Sequence, residues 1–193
     1  MADLSSVGVV ILAAGSSRRL GRPKQLLEID GTPLVRCVVD RALSAGVHEV
    51  IVVVGNRSAD VAAALAGASV RTVLNPDYAT GQASSLRVGV AALSEQVDRA
   101  LILLGDQPHI PFEAIVGVAV GPGPIRRAHY GGVPAHPVAF DRAIWDDLVT
   151  LDGDRGARDL LAAHPEWVQI VEIDGPVPQD VDTEDDAQAL GAR

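Results

Sequence analysis

The sequence predicts a doubly wound α/β sandwich of three layers, with helices on both faces of a mostly parallel sheet and right-handed crossovers. Three observations carry that prediction. Apolar runs with no polar face, residues 9–12 first among them, alternate with segments of helical spacing. The hydrophobic fraction is 48% but only 3% of residues are aromatic, so Val, Leu, Ile and Ala must fill the core, as suits stacked helices and parallel strands. The length of 193 residues suits a single domain over 1–193, with a loop or hairpin appendage near 121–140.

Taken in order, residues 9–12 read as a buried parallel strand, and a Ser/Arg/Gly/Pro loop follows at its carboxyl end. Leu26, Leu27 and Ile29 lead to an Asp30-Gly31 turn. Thr32 is expected to cap a helix with Pro33 at its first position, and Leu34, Val35, Val38, Val39 and Ala42 give that helix its apolar face. Residues 49–54 are a second buried strand, 59–65 a helix and 69–74 a third strand. The Asn75-Pro76 break precedes a helix that opens near Gly81 and runs to about Leu93. Residues 100–104 form another apolar strand, which ends in Gly105-Asp106-Gln107-Pro108, and Pro111 begins the next helix. From Gly121 the chain turns rich in Gly and Pro, which predicts a short strand pair over 124–140 or a long loop, set beside the sheet. Helices over 141–148 and 157–163 flank the polar turn at 153–156, residues 168–173 are a late strand, and Thr183 caps a final helix.

Composition excludes several classes of function. A formal net charge of −9 argues against a general nucleic-acid or anionic-membrane surface. The single cysteine, Cys37, offers neither an intramolecular disulfide nor a metal cluster and reads as a core residue. Trp145 and Trp167 read as packing anchors. No cationic segment precedes an apolar stretch at the amino terminus, and no apolar run reaches the ~18 residues of a membrane span. A soluble, cytoplasmic protein is the expectation.

Against this acidic background the loop after the first strand places Arg18, Arg19, Arg22 and Lys24 within seven positions, among small residues that let backbone N–H groups approach an anion. Open α/β sheets bind ligands at this edge, which makes it a phosphate-binding loop. It has neither the dinucleotide G-x-G-x-x-G nor the Walker pattern, since Lys24 stands between Pro23 and Gln25. Asp106 sits at a second strand's carboxyl end and serves either as a turn cap or as a magnesium ligand; Asp182 serves either as a cap beside Thr183 or as the second carboxylate. Ser84, Ser85 and Arg87 open a helix, where serine capping and anion binding explain the residues equally well. His136, before Pro137, reads as a turn residue, and His48, His109, His129 and His164 have no ligand spacing. A strand-end acid beside a basic phosphate loop points to metal-assisted phosphoryl or nucleotidyl transfer.

In order, LAAGSSRRLGRPK, NPDYATGQASSLRVG, GDQP, GGVPAHPVAF, GDRGAR and DVDTEDD resemble the MobA-like nucleotidyltransferases, in the branch of the molybdenum cofactor cytidylyltransferases. The likeness spans nearly the whole chain. It implies a Rossmann-like nucleotidyltransferase fold. It further implies nucleotide contacts from Leu12, Ala13, Ala14, Gly15, Gly81 and Ser85, and phosphate contacts from Arg19 and Lys24. It implies Mg²⁺ on Asp106 and Asp182, catalytic roles for Arg19, Lys24 and Asp106, and an acceptor near His136. Ala13-Ala14-Gly15, where guanine-nucleotide relatives carry a further glycine, favours CTP over GTP. The implied acceptor is molybdopterin or its molybdenum-loaded form, with a molybdoenzyme as partner. Arg18 and Arg22 read as solvated neighbours. Some relatives reduce a pigment of nicotine breakdown with a nicotinamide cofactor, so an oxidoreductase stays open, as do a carrier with little catalysis and a transferase for another phosphorylated acceptor.

Overall fold

The computed structural model describes residues 2–17 and 19–192; Arg18 lies outside the described residues. Strand β1 (Val7–Ala13) is the centre of the molecule, with Val9, Val10 and Ile11 wholly buried because both of its faces are covered. A two-stranded hairpin, β2 (Glu28–Ile29) and β3 (Thr32–Pro33), turns over Asp30 and Gly31, both at positive φ. This corrects the expected cap. The hairpin holds Thr32 extended, so helix α1 (Leu34–Ser44) starts at Leu34 with Pro33, which has no N–H to satisfy, before it.

Then follow β4 (Glu49–Val54), α2 (Ser58–Ala64), β5 (Arg71–Leu74), α3 (Gln82–Ala91), β6 (Arg99–Leu104) and α4 (Phe112–Ala119). Strands β7 (Ile125–Tyr130) and β8 (Val133–Asp141) form the expected hairpin, but within the sheet instead of beside it. The reason is hydrophobic. Ile125, Val138, Ala139 and Phe140 are buried, so both strands need the cover of the helical layers. The helix expected over 141–148 is a 3₁₀ turn at Arg142–Ile144 running into α5 (Trp145–Val149), because Asp141 accepts from the Ala143 N–H and tightens the start. Helix α6 (Arg158–Ala163), strand β9 (Val168–Ile173) and helix α7 (Glu184–Ala189) complete the chain.

The seven-stranded sheet has the order β5-β4-β1-β6-β8-β7-β9, and β8 alone runs against the others. Helices α1, α2 and α4 pack on one face, through Val35, Val38, Val61, Ile115 and Val118, and α3, α5 and α6 on the other, through Leu86, Val90, Leu148 and Leu160. Helix α3 lies so close to β1 that a Cβ at Gly89 would enter the space of Val10 and Val53. Helix α7 packs on Leu27 and Leu34 through Ala187, with Val181 beside it, and so draws the segment before it over the carboxyl edge of β1 and β6. No helix of the described residues is long and apolar enough to cross a membrane.

Candidate active site

Because the strands flanking β1 run parallel to it, their carboxyl ends open on one edge, and a cleft of about 920 Å³ lies there. The loop after β1 is folded back by its own polar groups. The Lys24 N–H donates to Ser17 Oγ at 3.0 Å, the Gly21 N–H to the Ser17 carbonyl at 3.0 Å, and buried Gln25 donates through Nε2 to the Gly15 carbonyl at 3.2 Å. The carbonyls of Leu12 and Ala14 accept from the Gly105 and Asn56 N–H groups. Leu12, Ala14 and Gly15 line the cleft, whereas the Ala13 side chain packs in the opposite layer, as strand alternation requires.

Lys24 is directed at the acids. Its ammonium contacts the Asp106 carboxylate and lies 2.8 Å from Asp182 Oδ1, while Arg19 reaches Asp182 Oδ2 at 2.8 Å. Burial alone would lower the Lys24 pKa; the two carboxylates outweigh that and hold it above its ordinary value. Burial raises the Asp106 pKa, and Lys24 only partly offsets it. Asp182 is held below the usual carboxylate range, first by its hydrogen bond from Lys24. Asp182 is not the helix cap. Thr183 and Asp186 form the capping box, with Thr183 Oγ1 accepting from the Asp186 N–H at 3.2 Å and Asp186 accepting from the Thr183 N–H at 2.8 Å, which leaves the Asp182 side chain for the cations. Arg22 turns away to an exposed pair with Glu184, 2.8 Å apart.

The far wall comes from the segment 78–85 and the turn 154–158. Gly81 has φ 127° and is backed by Gly153 and Asp154, so a side chain there would collide with the turn. Ser84 and Ser85 do not cap α3. Ser84 donates to the carbonyls of Gly81 and Asp77, and buried Asn75 donates to both serines at 2.9 and 3.0 Å. Ser85 lines the cleft, and Arg87 turns aside to the Leu151 carbonyl. His136, on the antiparallel strand, reaches the same edge with Nδ1 3.4 Å from the Ile102 carbonyl, and burial first, with the charges of Arg127 and Arg158, pushes its pKa down to about 4. Cys37 is half-buried, with Sγ 3.8 Å from the Thr32 carbonyl.

The structure brings Leu12, Ala14, Gly15, Arg19, Lys24, Gly81, Ser85, Asp106, His136 and Asp182 to one cleft. Sequence reasoning missed Gln25, Arg127, Asp180, and Gln107, whose Nε2 donates to Asp180 at 2.6 Å. For Arg127 a signal existed: adjacent arginines in a strand must point to opposite faces, so either Arg126 or Arg127 had to turn towards the cleft side.

Asp106 and Asp182 converge on one ammonium, so their hard oxygens fit a small divalent cation at that point. The described residues contain no cluster of three metal-ligating side chains.

The chain is similar to the nicotine blue oxidoreductase of Paenarthrobacter nicotinovorans, at 34% identity with 94% of each chain covered. It is also similar to the molybdenum cofactor cytidylyltransferase of Escherichia coli K12, at 25% identity over 95% of this chain and 94% of that one. The fold matches the manganese complex of Rv0371c from Mycobacterium tuberculosis H37Rv with a TM-score of 0.84, at 33% identity over 96% of this chain and 97% of that one. The model of the MobA-like NTP transferase domain matches residues 9–168, and the chain belongs to that family of nucleotidyltransferases.

Proposed function

We propose that this enzyme transfers CMP from CTP to the phosphate of molybdopterin or its molybdenum-loaded form, releasing pyrophosphate. The observation that carries the reading is the convergence of Asp106 and Asp182 on Lys24 at the edge where the basic loop ends. In the reaction an acceptor phosphate oxygen attacks the α-phosphorus in line, the bond to the β-phosphate breaks, and pyrophosphate carries away the electron pair. The acceptor phosphate is already anionic at neutral pH, so positioning and charge neutralisation suffice, without a general base. Lys24, kept protonated by its carboxylates, and Arg19, on the exposed lip, hold the phosphate oxygens. Asp106 and Asp182 would hold Mg²⁺, which supplies further neutralisation of the phosphates. Ala14 faces the cleft where the base would lie, and its methyl group favours the smaller pyrimidine. A molybdoenzyme that receives the product is the partner this reading implies.

The test is pyrophosphate release from CTP, Mg²⁺ and molybdopterin, with GTP in parallel. Release from CTP alone supports the reading, and release from GTP alone overturns the choice of base. The 34% identity to nicotine blue oxidoreductase favours a second reading, reduction of an organic acceptor by a nicotinamide cofactor bound in this cleft. Oxidation of NADH or NADPH by the protein with a quinonoid pigment, in the absence of pyrophosphate release, would select it.

A further inference from the structure

Strand β7 carries two adjacent arginines with opposite fates. Arg126 donates to the carbonyls of Gly117, Val118 and Pro122 at the end of α4 and is spent there. Arg127 points to the other face, into the cleft, and among the described residues no hydrogen bond or ion pair engages its guanidinium; its Nε is buried and unpartnered. Arg158, at the start of α6, lines the same cleft and is likewise unengaged among the described residues. Burial first, and the positive charge of Arg158 second, lower the pKa of Arg127. The nearby Arg155 is paired with Asp159 at 3.0 Å.

A partly buried cation without a counter-charge, beside a second cation, costs stability that the fold recovers when an anion arrives. Arg127 and Arg158 come from β7 and α6, elements other than the loop that carries Arg19 and Lys24. His136 feels the charges of Asp106 and of both arginines, and all four residues line the one cleft. Its own ring is neutral at physiological pH and supplies no competing charge. Ile102, Val138, Phe140 and Leu161 line the cleft as well, an apolar surface for the body of an organic phosphate.

We propose that Arg127 and Arg158 form a second anion subsite, which holds the phosphomonoester of the acceptor while the nucleotide occupies the loop of Arg19 and Lys24. Two guanidinium groups match a phosphate dianion in charge and in donor geometry. The proposal rests on the nucleotidyl-transfer reading for the identity of the second ligand, and on the cleft alone for the existence of the subsite.

The experiment is calorimetric titration of inorganic phosphate into the full chain saturated with CTP and Mg²⁺, and of CTP into the same proteins. R127M and R158M should each weaken phosphate binding by about tenfold or more and leave CTP affinity within about twofold, as expected for loss of one charge-assisted contact. R127K should restore part of the phosphate affinity. In the free protein R127M should melt no lower than wild type, since it removes an unpaired, partly buried charge, whereas R126M should melt lower and keep its phosphate affinity. Unchanged phosphate affinity in R127M overturns the subsite, and so does an equal loss of CTP affinity, which would assign both arginines to the triphosphate. If wild type fails to bind CTP, phosphate is titrated without nucleotide: a loss confined to R127M and R158M keeps the subsite and removes the nucleotidyl reading, and no loss removes both.

Discussion

Lys24 and Asp182 stand 158 residues apart in the chain, yet the ammonium of one lies 2.8 Å from a carboxylate oxygen of the other. The pair closes the carboxyl edge of the sheet, because α7 packs back on Leu27 and Leu34 and sets Asp182 over the loop. Only the fold makes the two residues one site.

The first prediction concerns the chemistry of that site. Lys24→Ala should lower the rate of pyrophosphate release by roughly 10²- to 10³-fold, the usual loss when one preorganised electrostatic contact is removed. The same variant should keep the circular dichroism spectrum of wild type. Chelation of divalent ions should abolish release from the wild type, and Asp106→Ala should not be rescued by added Mg²⁺ or Mn²⁺. Full activity of Asp106→Ala would remove that residue from the metal site.

A second prediction separates stability from catalysis. Asp106 is 8% exposed, so Lys24→Met strands a buried carboxylate and should cost about 3 kcal/mol in urea unfolding at neutral pH. Adding Asp106→Asn to that variant should return most of the loss, since it removes the charge that had been stranded. A double variant no more stable than Lys24→Met would mean that the pair is not coupled.

How far the sequence discloses this arrangement depends on the range of the interactions. Residues 9–12 and 50–54 are legible because burial on both faces writes a continuous apolar run into the chain itself. The cap at Thr183 is legible because its partner Asp186 is three residues away. Thr32 misleads because a competing local structure, the hairpin with Glu28 and Ile29, takes the residue first. Arg127 and Arg126 look alike in sequence, and only the sheet decides that one is spent on α4 and the other faces the cleft. Asp180 gains its place from Gln107, 73 positions away, a contact no local pattern announces.

The third prediction follows from Gly81. Its φ of 127° is strained for any side chain, and a Cβ would press on the backbone of Gly153 and Asp154. Gly81→Ala should therefore destabilise the protein by about 1–3 kcal/mol and move the turn at 154–158. The kinetic signature should be a raised KM for substrate with a smaller change in kcat, because that turn, Arg158 included, forms the far wall of the cleft and not the loop of Arg19 and Lys24.

The last prediction is a pH dependence of stability set by His136. Its folded pKa, about 4, is depressed from 6.5, first by burial, then by the positive charges of Arg127 and Arg158, against the Ile102 carbonyl and Asp106, which pull the other way. Between those two values the unfolded chain binds more protons than the native one, so stability rises with pH across the window. The contribution is complete above about pH 6.5 and is lost as the pH falls towards 4, to a limit of about 3 kcal/mol. His136→Gln cannot take up this proton, so its urea midpoint should fall less steeply than that of wild type between pH 6.5 and 4. Phosphate bound at Arg127 and Arg158 should raise the pKa of His136 by masking the two cations, and the wild-type slope should then soften in phosphate buffer relative to a phosphate-free buffer at equal ionic strength. Parallel slopes for wild type and His136→Gln would show that the ring does not titrate in the window.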